Sequence, residues 1–467
     1  MAEEKNENKD LRKNLFYEQK NGYDLIDQEE RLALERYCEG YMRFLDSCRT
    51  EREAVREGIR QAEEQGFVEF RPGMELHPGD KLYRSNRGKS LLLAVIGEKP
   101  LEHGCTVAAA HVDCPRLDLK QLPLYEDNGM AYLKTHYYGG IKKYQWLTIP
   151  LELHGTVALK SGKTVDVAIG REKNDPQLVI TDLLPHLAAE QMQKKASELV
   201  KGESLNLLVG GVPYADEGKE RVKLAVMSIL NDSYGITEED FLSAEFEAVP
   251  AMDVREVGLD RSFIGGYGHD DRVCAYAELR AIFDMEKPRT TAVCILADKE
   301  EIGSEGTSGM QSEAFELFME ELCAAQGASL RRCFANSLCI SADVCNAFDP
   351  VWPEVSEKRN EAKCNYGMGI CKYTGARGKS GSNDADAETV GKLRRFFDEA
   401  GVVWQMAELG KVDQGGGGTV AAYMARRNIS TIDAGVPVLS MHAPWEVVAK
   451  FDCYMTYKGV KAVYEKN

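Results

Sequence analysis

The sequence of 467 residues lacks any long hydrophobic run, since its longest apolar stretches, such as residues 91–97, fall far short of the ~20 residues that cross a bilayer. Its first fifteen residues are polar and contain no apolar core, so they do not read as a secretory signal. We therefore expect a protein that stays in the cytoplasm and has no membrane partner.

Cysteine pairs are also missing. The thirteen cysteines are odd in number and include no Cys-x-x-Cys spacing, which argues against a disulfide framework and against a thiolate zinc site. The cysteines next to candidate site residues, Cys114 and Cys345, are interpreted as packing residues. Carboxylates and imidazoles remain as the candidate metal ligands.

Positive charge is in short supply. The chain has 58 Lys and Arg against 75 Asp and Glu, which gives a net charge of −17. Nucleic acid and anionic lipid would be repelled by such a surface, so we expect neither as a partner.

Strands and helices alternate at both ends of the chain. Apolar runs predict strands buried on both faces at residues 90–97, 105–111, 291–297, 337–343 and 430–438. The apolar spacing, with a capping box at Thr50, predicts helices at residues 29–47, 50–66, 272–283, 312–325, 385–400, 420–426 and 446–464. This alternation favours an α/β fold with a largely parallel sheet covered on both faces.

The middle of the chain has a different pattern. Residues 156–159 and 164–169 alternate apolar and polar side chains around Ser161-Gly162, which is typical of a hairpin. Further short strands, with helical stretches at 185–199 and 221–230, fill the region up to about Pro250. We interpret residues 119–249 as an inserted strand-rich domain, and residues 1–118 with 250–467 as the main domain.

Acidic and imidazole residues follow several of the buried strands, at the edge where ligands bind in α/β sheets. His111 ends one strand with Asp113 two residues on, which suggests a metal ligand and a carboxylate that orients its ring. The alternative is a core histidine. Asp270, in a His-Asp-Asp-Arg stretch that opens a helix, could bridge two metals or, with Asp271, simply cap the helix.

Adjacent glutamates, Glu300 and Glu301, follow the strand at 291–297. One could bind a metal and the other could serve water as a general base, unless the two belong to an exposed acidic loop. Asp343 and His442 each follow another apolar strand and could be ordinary strand-end residues. Together, however, these side chains make a complete two-metal site of oxygen and imidazole ligands.

Such a pair of cations would activate water against a peptide carbonyl, and one of them could bind the free amine of the substrate. The site therefore predicts a two-metal aminopeptidase that acts on short peptides. Alternatives are a deacylase or dipeptidase on the same site, or a non-catalytic assembly protein with a peptidase fold. The presence of every candidate ligand and of Glu300 weighs against the last.

The motifs, in this order, resemble the aspartyl aminopeptidase and aminopeptidase I family of zinc metallopeptidases over nearly the whole chain. The resemblance is strongest in five stretches: residues 110–115, 267–276, 298–304, 341–350 and 439–444. Tyr138-Gly139-Gly140, Trp146 and residues 183–187 look like that family's dimerisation domain.

The resemblance implies a three-layer α/β/α metallopeptidase sandwich with an inserted dimerisation domain, assembled as a dodecamer built of dimers. It implies two divalent ions, most simply Zn²⁺, with Co²⁺ or Mn²⁺ as alternatives. It assigns Glu300 as the general base and Asp113 as the residue that orients a ligand. The metal ligands that it implies are His111, Asp270, Glu301, Asp343 and His442.

The sequence departs from the best-known members near the site. Asn346 and Asp349 stand where those members carry histidines, and residues 147–151 read Leu-Thr-Ile-Pro-Leu in place of an Asp-Arg-Asp-Leu stretch. A basic cluster, Lys372, Arg377 and Lys379, could attract an acidic substrate side chain or be a solvated loop. Residues 415–418, four glycines before a helix, could bind an anion or act as a hinge. Acidic, neutral and hydrophobic preferences therefore all stay open.

Overall fold

The computed structural model describes residues 11–467, so part of the N-terminal stretch in which we expect no secretory signal lies outside the described residues. In chain order the strands are β1 Val68–Glu69, β2 Lys81–Asn86, β3 Ser90–Val95, β4 Cys105–His111, β5 Arg116–Asp127, β6 Met130–Tyr138, β7 Leu151–Ala158, β8 Thr164–Ile169, β9 Leu207–Gly210, β10 Ala244–Pro250, β11 Arg255–Val257, β12 Phe263–Gly266, β13 Thr291–Ala297, β14 Leu338–Ser341, β15 Cys345–Asn346, β16 Met368–Cys371, β17 Trp404–Met406, β18 Ser430–Gly435, β19 Pro437–Leu439 and β20 Glu446–Ala449.

The α-helices are α1 Gln28–Ser47, α2 Glu51–Glu64, α3 Ala189–Met192, α4 Ala196–Leu199, α5 Arg221–Tyr234, α6 His269–Phe283, α7 Ala314–Ala325, α8 Leu330–Ala335, α9 Ala387–Ala400, α10 Ala421–Arg426 and α11 Lys450–Lys466. The predicted capping box is present at the start of α2, where Thr50 and Glu53 bond each other's backbone amides. No helix of residues 11–467 is long and apolar enough to span a membrane.

The central sheet is mixed, with the strand order β1-β2-β3-β13-β4-β14-β18-β16-β17. Its four middle strands, β13, β4, β14 and β18, run parallel to one another. The predicted parallel pairing is found in five of the eight strand pairs that residues 11–467 form in this sheet, including the outermost pairs β1-β2 and β16-β17. The pairs β2-β3, β3-β13 and β18-β16 are antiparallel, so the sheet is mixed. The apolar run of each strand indicates that the strand is buried but does not indicate its direction. Only the hydrogen-bonded pairing in the folded chain determines which strand pairs are antiparallel.

Both faces of the central sheet are buried. Along β4, Ala108 and Ala110 belong to one hydrophobic cluster, and Val107 and Ala109 to another on the opposite face. The first cluster includes buried residues of α1, α6 and α11, and the second includes those of α7, α8 and α10. This two-sided burial explains why β4 and β13 read as continuous apolar runs.

A separate six-stranded sheet, in the order β8-β7-β10-β5-β6-β9, is antiparallel throughout. It carries its own hydrophobic cluster, centred on residues such as Leu133, Leu153 and Phe246. The predicted hairpin is confirmed, since β7 pairs with β8 over six residue pairs. All six strands come from the stretch between Arg116 and Pro250.

The helical stretches predicted at residues 185–199 are present but short: a 3₁₀ helix at Pro185–Leu187 is followed by α3 and α4, of four residues each. One helix prediction needs correction. The predicted helix at 446–464 begins as β20, which joins a third sheet in the order β11-β12-β20-β19-β15, and becomes helical only at Lys450. Its backbone is thus used for strand pairing beside His442.

Candidate metal centre

Three groups of predicted site residues lie at the carboxyl ends of neighbouring strands. β13, β4 and β14 are adjacent and parallel, so their ends meet at one edge. His111 is the last residue of β4 and Asp343 lies two residues beyond β14. Glu300 and Glu301 lie in a 3₁₀ turn that follows β13. The central sheet therefore brings these four residues together.

Asp270 joins them from the start of α6, and His442 from the loop after β19. The Oδ1 atom of Asp270 is 3.2 Å from Nε2 of His111, and its Oδ2 atom is 3.2 Å from Nε2 of His442. The two histidines thus lie on opposite sides of one carboxylate. A carboxylate in this position can share its oxygens between two cations.

Other carboxylates surround this centre. Glu301 Oε1 lies 3.5 Å from His442 Nε2, while Glu300 Oε2 and Asp343 Oδ1 each lie 3.9 Å from His111 Nε2. In three sets of residues the donor atoms all lie within 4.8 Å of one another: His111, Glu300 and Asp343; His111, Asp270 and Glu301; and Asp270, Asp271 and Asp343. The arrangement can hold metal ions.

Unsatisfied atoms inside the cage support this fit. Within residues 11–467, His111 Nε2 and Glu301 Oε1 are buried and have no hydrogen-bond partner. A buried polar atom without a partner costs free energy, which a coordinated cation would offset. The donors are imidazole nitrogens and carboxylate oxygens, a set that suits zinc and other first-row divalent ions.

The imidazoles are held in a defined tautomer. Nδ1 of His111 donates to the carbonyl of Asp113 at 2.9 Å, and Nδ1 of His442 donates to the carbonyl of Gly140 at 2.7 Å. A carbonyl can only accept, so the proton of each neutral ring is on Nδ1 and the lone pair of Nε2 faces the cage. Both rings are thereby prepared to ligate.

Asp113 makes a further set of contacts. Its carboxylate is fully buried and accepts hydrogen bonds from the amides of Glu300, at 3.1 Å, and Glu301, at 3.2 Å. The hydroxyl of Tyr138 donates to it at 2.8 Å. Its Oδ1 lies 3.4 Å from Nδ1 of His111, farther than the 2.9 Å between that nitrogen and the carbonyl oxygen of Asp113. Asp113 therefore fixes the turn that carries the two glutamates and, through its carbonyl, the ring of His111.

Glu446, Asp271 and Tyr138 also contact this site, a role that their sequence context did not predict. Glu446 accepts from the amides of Asp270, at 3.0 Å, and His442, at 2.7 Å, so it ties two candidate ligands together. Asp271 accepts from the amide of His111 at 3.2 Å. Glu446 falls within the helix predicted at residues 446–464, and no local sequence pattern indicated its role.

Helix capping does not explain Asp270 and Asp271. The N-cap of α6 is Gly268, no side chain caps this end, and both aspartates have non-helical backbone angles. The peptide bond that joins them is cis. Their carboxylates face the cage and the amide of His111.

The electrostatics of the cage are dominated by crowded carboxylates. Burial raises the pKa of Asp343 well above its ordinary value, and the charge of Glu300 raises it further. Burial also raises the pKa of Glu300 to about 7 and that of Glu301 well above its usual range. Burial lowers the pKa of His442, but its bond to Asp270 and the charge of Glu301 raise it overall to about 10. The cage thus concentrates carboxylate groups, and bound cations would neutralise their negative charge.

The cysteines beside the site are buried, and burial raises the pKa of both Cys114 and Cys345. For Cys345 the contact with Cys371 is the larger cause and burial the second. Cys114 Sγ donates to the carbonyl of Asp270 at 3.0 Å. A protonated thiol in this position packs and donates, as predicted.

The two lysines of the basic cluster form their ion pairs with a carboxylate outside the cage, Asp384. Lys372 and Lys379 both pair with Asp384, and Lys379 also lies 3.7 Å from the centroid of the Tyr373 ring. The neighbouring glycine loop approaches it closely, since a Cβ on Gly416 would come within 1.6 Å of the carbonyl oxygen of Gly375. This glycine is therefore needed for backbone packing.

A cavity of about 900 Å³ opens beside His442. Its walls come from three segments, residues 140–145, 346–356 and 439–443. Gly140 lines the cavity and also accepts the Nδ1 proton of His442. The cavity therefore adjoins the candidate metal centre and is wide enough for a side chain of a bound substrate.

The chain is similar to known proteins over nearly its whole length. The sequence model of the aminopeptidase I zinc metalloprotease (M18) family matches residues 44–464. A probable M18 family aminopeptidase 1 of Clostridium acetobutylicum is 48% identical over 457 residues, which cover 96% of this chain and 98% of the relative.

Solved structures are similar as well. The crystal structure of the M18 family aminopeptidase from Thermotoga maritima has a TM-score of 0.93 and 44% identity, covering 97% of this chain and 100% of that one. The S. cerevisiae mApe1 dodecamer has a TM-score of 0.75 with 20% identity, covering 93% of this chain and 97% of that one. At that identity the second likeness concerns the fold alone.

Proposed function

The chain belongs to the aminopeptidase I zinc metalloprotease (M18) family and is a metalloaminopeptidase, and we propose that it cuts the first residue from short peptides with a pair of divalent ions held by five side chains. The observation that carries the proposal is the position of Asp270, whose two oxygens each lie 3.2 Å from a different imidazole nitrogen.

The ligands divide into two sets around this bridge. His111, Asp343 and Oδ1 of Asp270 would hold one ion, and His442, Glu301 and Oδ2 of Asp270 would hold the other. The family is one of zinc enzymes, so Zn²⁺ is the first expectation, although the same donors accept Co²⁺ and Mn²⁺. The chemistry that such cations supply is Lewis acidity, which polarises a carbonyl and acidifies water.

Glu300 is the proposed general base. It lies in the same turn as Glu301, it keeps a partly exposed carboxylate, and its Oε2 is 3.9 Å from His111 Nε2. A base in this position can take a proton from an attacking water and return it to the leaving amine. Asp113 acts on it indirectly, because it binds the amides of both glutamates and so fixes where the two carboxylates point.

The rest of the chain supports a larger assembly. We propose that residues 119–249 form a dimerisation domain inserted into a three-layer α/β/α catalytic domain of residues 1–118 and 250–467, and that the dimers form a dodecamer like that of mApe1. Exposed apolar side chains are frequent in the inserted segment: Leu183, Leu184, Leu187, Met192, Val212 and Ile229. Such side chains are common at contacts between subunits.

A pair of variants separates ligand from base. We expect Glu300→Gln to keep both metal ions but to lose about 10²–10⁴-fold in kcat, since general-base catalysis contributes that much. Asp270→Asn should lose metal as well as activity, because each ion loses a ligand. Metal content by mass spectrometry and turnover of aminoacyl-p-nitroanilides, after loading with Zn²⁺, Co²⁺ or Mn²⁺, would measure both.

Glu305→Gln is the matched control, because Glu305 is exposed on the loop that follows the same turn. It should leave metal content and turnover unchanged. Full activity of Glu300→Gln would contradict the proposed base, and full metal content in Asp270→Asn would contradict the bridge. Turnover confined to N-acetylated substrates would point to the deacylase alternative.

A further inference from the structure

The cavity beside His442 has apolar walls. Tyr144, Trp352, Val355 and Met441 all line it, and they come from three different segments of the chain. Apolar surfaces of this kind are suited to the hydrocarbon part of a side chain. A substrate side chain could therefore bury a stem of several methylene groups against these walls at little cost in free energy.

Carboxylates stand among these walls. Asp349 and Glu354 line the cavity together with one lysine, Lys142, whose side chain is exposed. Neither carboxylate forms an ion pair with another residue of the described chain from residue 11 onward, although Asp349 accepts from the amide of Val351 at 2.9 Å. Both charges are thus available to a cationic group in the cavity.

A third carboxylate stands behind the wall. Asn346 lines the cavity, and its side-chain amide donates to Glu361, which is only 3% exposed. The second carboxylate oxygen of Glu361, Oε2, is buried and has no hydrogen-bond partner among residues 11–467. A buried charge is poorly screened by water, so its negative potential extends toward the cavity.

The basic cluster does not offset this charge. Lys372 and Lys379 are both engaged by Asp384, and Arg377 lines a separate small cavity that also contains Glu408 and Asp413. None of the three basic residues lines the cavity beside His442. Besides Lys142, the lining includes one other group that can carry positive charge, His442, which would be neutral when it binds a metal ion.

We propose that this cavity receives the side chain of the substrate's N-terminal residue and selects long cationic side chains, lysine and arginine, over acidic ones. The inference rests on the proposed aminopeptidase function and adds the substrate class. An apolar stem would lie against Trp352 and Met441, and the cationic end would meet Asp349 and Glu354. An acidic side chain would meet charges of its own sign.

The test compares three substrates that share one leaving group: lysyl-, norleucyl- and glutamyl-p-nitroanilide. Lysine and norleucine have stems of similar length and differ in the terminal charge. We expect kcat/KM for lysyl to exceed that for norleucyl roughly tenfold, and that for glutamyl by on the order of a hundredfold. In the Asp349→Asn/Glu354→Gln double variant the lysyl-to-norleucyl ratio of kcat/KM should fall close to one.

Glu357→Gln is the control, since Glu357 is an exposed acid on the same segment but does not line the cavity, and it should leave the ratio unchanged. If the double variant loses norleucyl turnover too, the single substitutions decide between misfolding and selectivity. Glutamyl turnover equal to lysyl, or a ratio that the substitutions leave intact, would overturn the proposal. If the zinc-loaded wild type turns over none of the three, the proposed function fails instead.

Discussion

The central sheet and the six-stranded sheet differ in how completely they are buried. Every residue of β4 and β13 is buried, whereas β8 exposes alternate residues along its length. Close packing on both faces holds the strands of the central sheet in place. The sheet can therefore position several charged side chains accurately at one edge. The six-stranded sheet leaves part of its surface exposed. It contributes to the candidate site only through side chains and carbonyl groups at its border.

That border nevertheless contacts the candidate metal centre. Tyr138, at the end of β6, binds Asp113, and the carbonyl of Gly140 holds His442. Buried charges join the two regions elsewhere: Arg49 Nε is 2.9 Å from Glu152, and His154 Nδ1 is 2.7 Å from Glu53. The two sheets have separate hydrophobic cores, but hydrogen bonds and ion pairs connect polar groups of the two regions.

The largest expected effect concerns His154, which lies on β7 between Glu53 and Glu152. Burial lowers its pKa, but the two neighbouring carboxylates, Glu152 at 3.6 Å and Glu53 at 2.7 Å, raise it overall to about 9. Since the folded pKa is above the unfolded value of about 6.5, protonated His154 stabilises the protein fully below pH ~6.5 and loses this contribution as the pH rises through about 9. The contribution is about 3 kcal/mol.

Chemical denaturation of wild type and His154→Gln between pH 6 and 10 would measure it. The gap in unfolding free energy should narrow by about 3 kcal/mol with rising pH, because the variant lacks the titrating group. His136→Gln serves as the control, since His136 is exposed on β6. A gap that stays constant across the range would show that the junction does not depend on this charge.

A smaller effect is expected from Tyr138→Phe, which removes the hydroxyl that binds Asp113 at 2.8 Å. Loss of such an outer contact typically costs 10–100-fold in activity or metal affinity, so kcat/KM should fall by about that factor. The variant should keep its fold, because the ring is retained. Tyr132→Phe, on the same strand with its hydroxyl on Met130, should behave like wild type. Equal activity of the two variants would show that the six-stranded sheet does not support the site.

Ile229→Lys is expected to have the smallest effect on the stability of the folded subunit. Its effect on the assembly of subunits should nevertheless be measurable. Ile229 is exposed on α5 of the inserted segment, so the change should alter unfolding free energy by no more than about 0.5 kcal/mol. At a subunit contact, however, a buried lysine would be costly, and light scattering should report smaller particles. Leu317→Lys, on the exposed face of α7, is the matched change on the central region and should leave particle size as it was. The reverse result would place the contact on the other region.

Much of the site could be predicted from the sequence because its residues directly follow apolar strands. His111 ends β4, Asp343 follows β14 and the two glutamates follow β13, so the rule that parallel strands share one carboxyl edge was enough to group them. Whether these residues bind metal stays a prediction until metal content is measured. The direction of β3 and β16 could not be predicted, because an apolar run reads the same in both directions.

The helix predicted at 446–464 shows another limit. Residues 446–449 have a helical spacing but pair as β20 with β12 and β19. In that strand Glu446 reaches the amides of Asp270 and His442, a role that no local pattern indicated. Pairing with distant strands outweighed the local preference.

The sequence by itself determined the burial of the strands, the excess of acid and the order of the candidate ligands, since these are properties of composition and spacing. Only the tertiary structure decided that Asp270 lies between His111 and His442, that Glu446 and Tyr138 support the site, and that the lysines of the basic cluster pair with Asp384. The reason is physical: composition and periodicity act within a few residues, whereas a metal cage depends on distances of 3–4 Å between side chains from separate strands, which only the packed chain can fix.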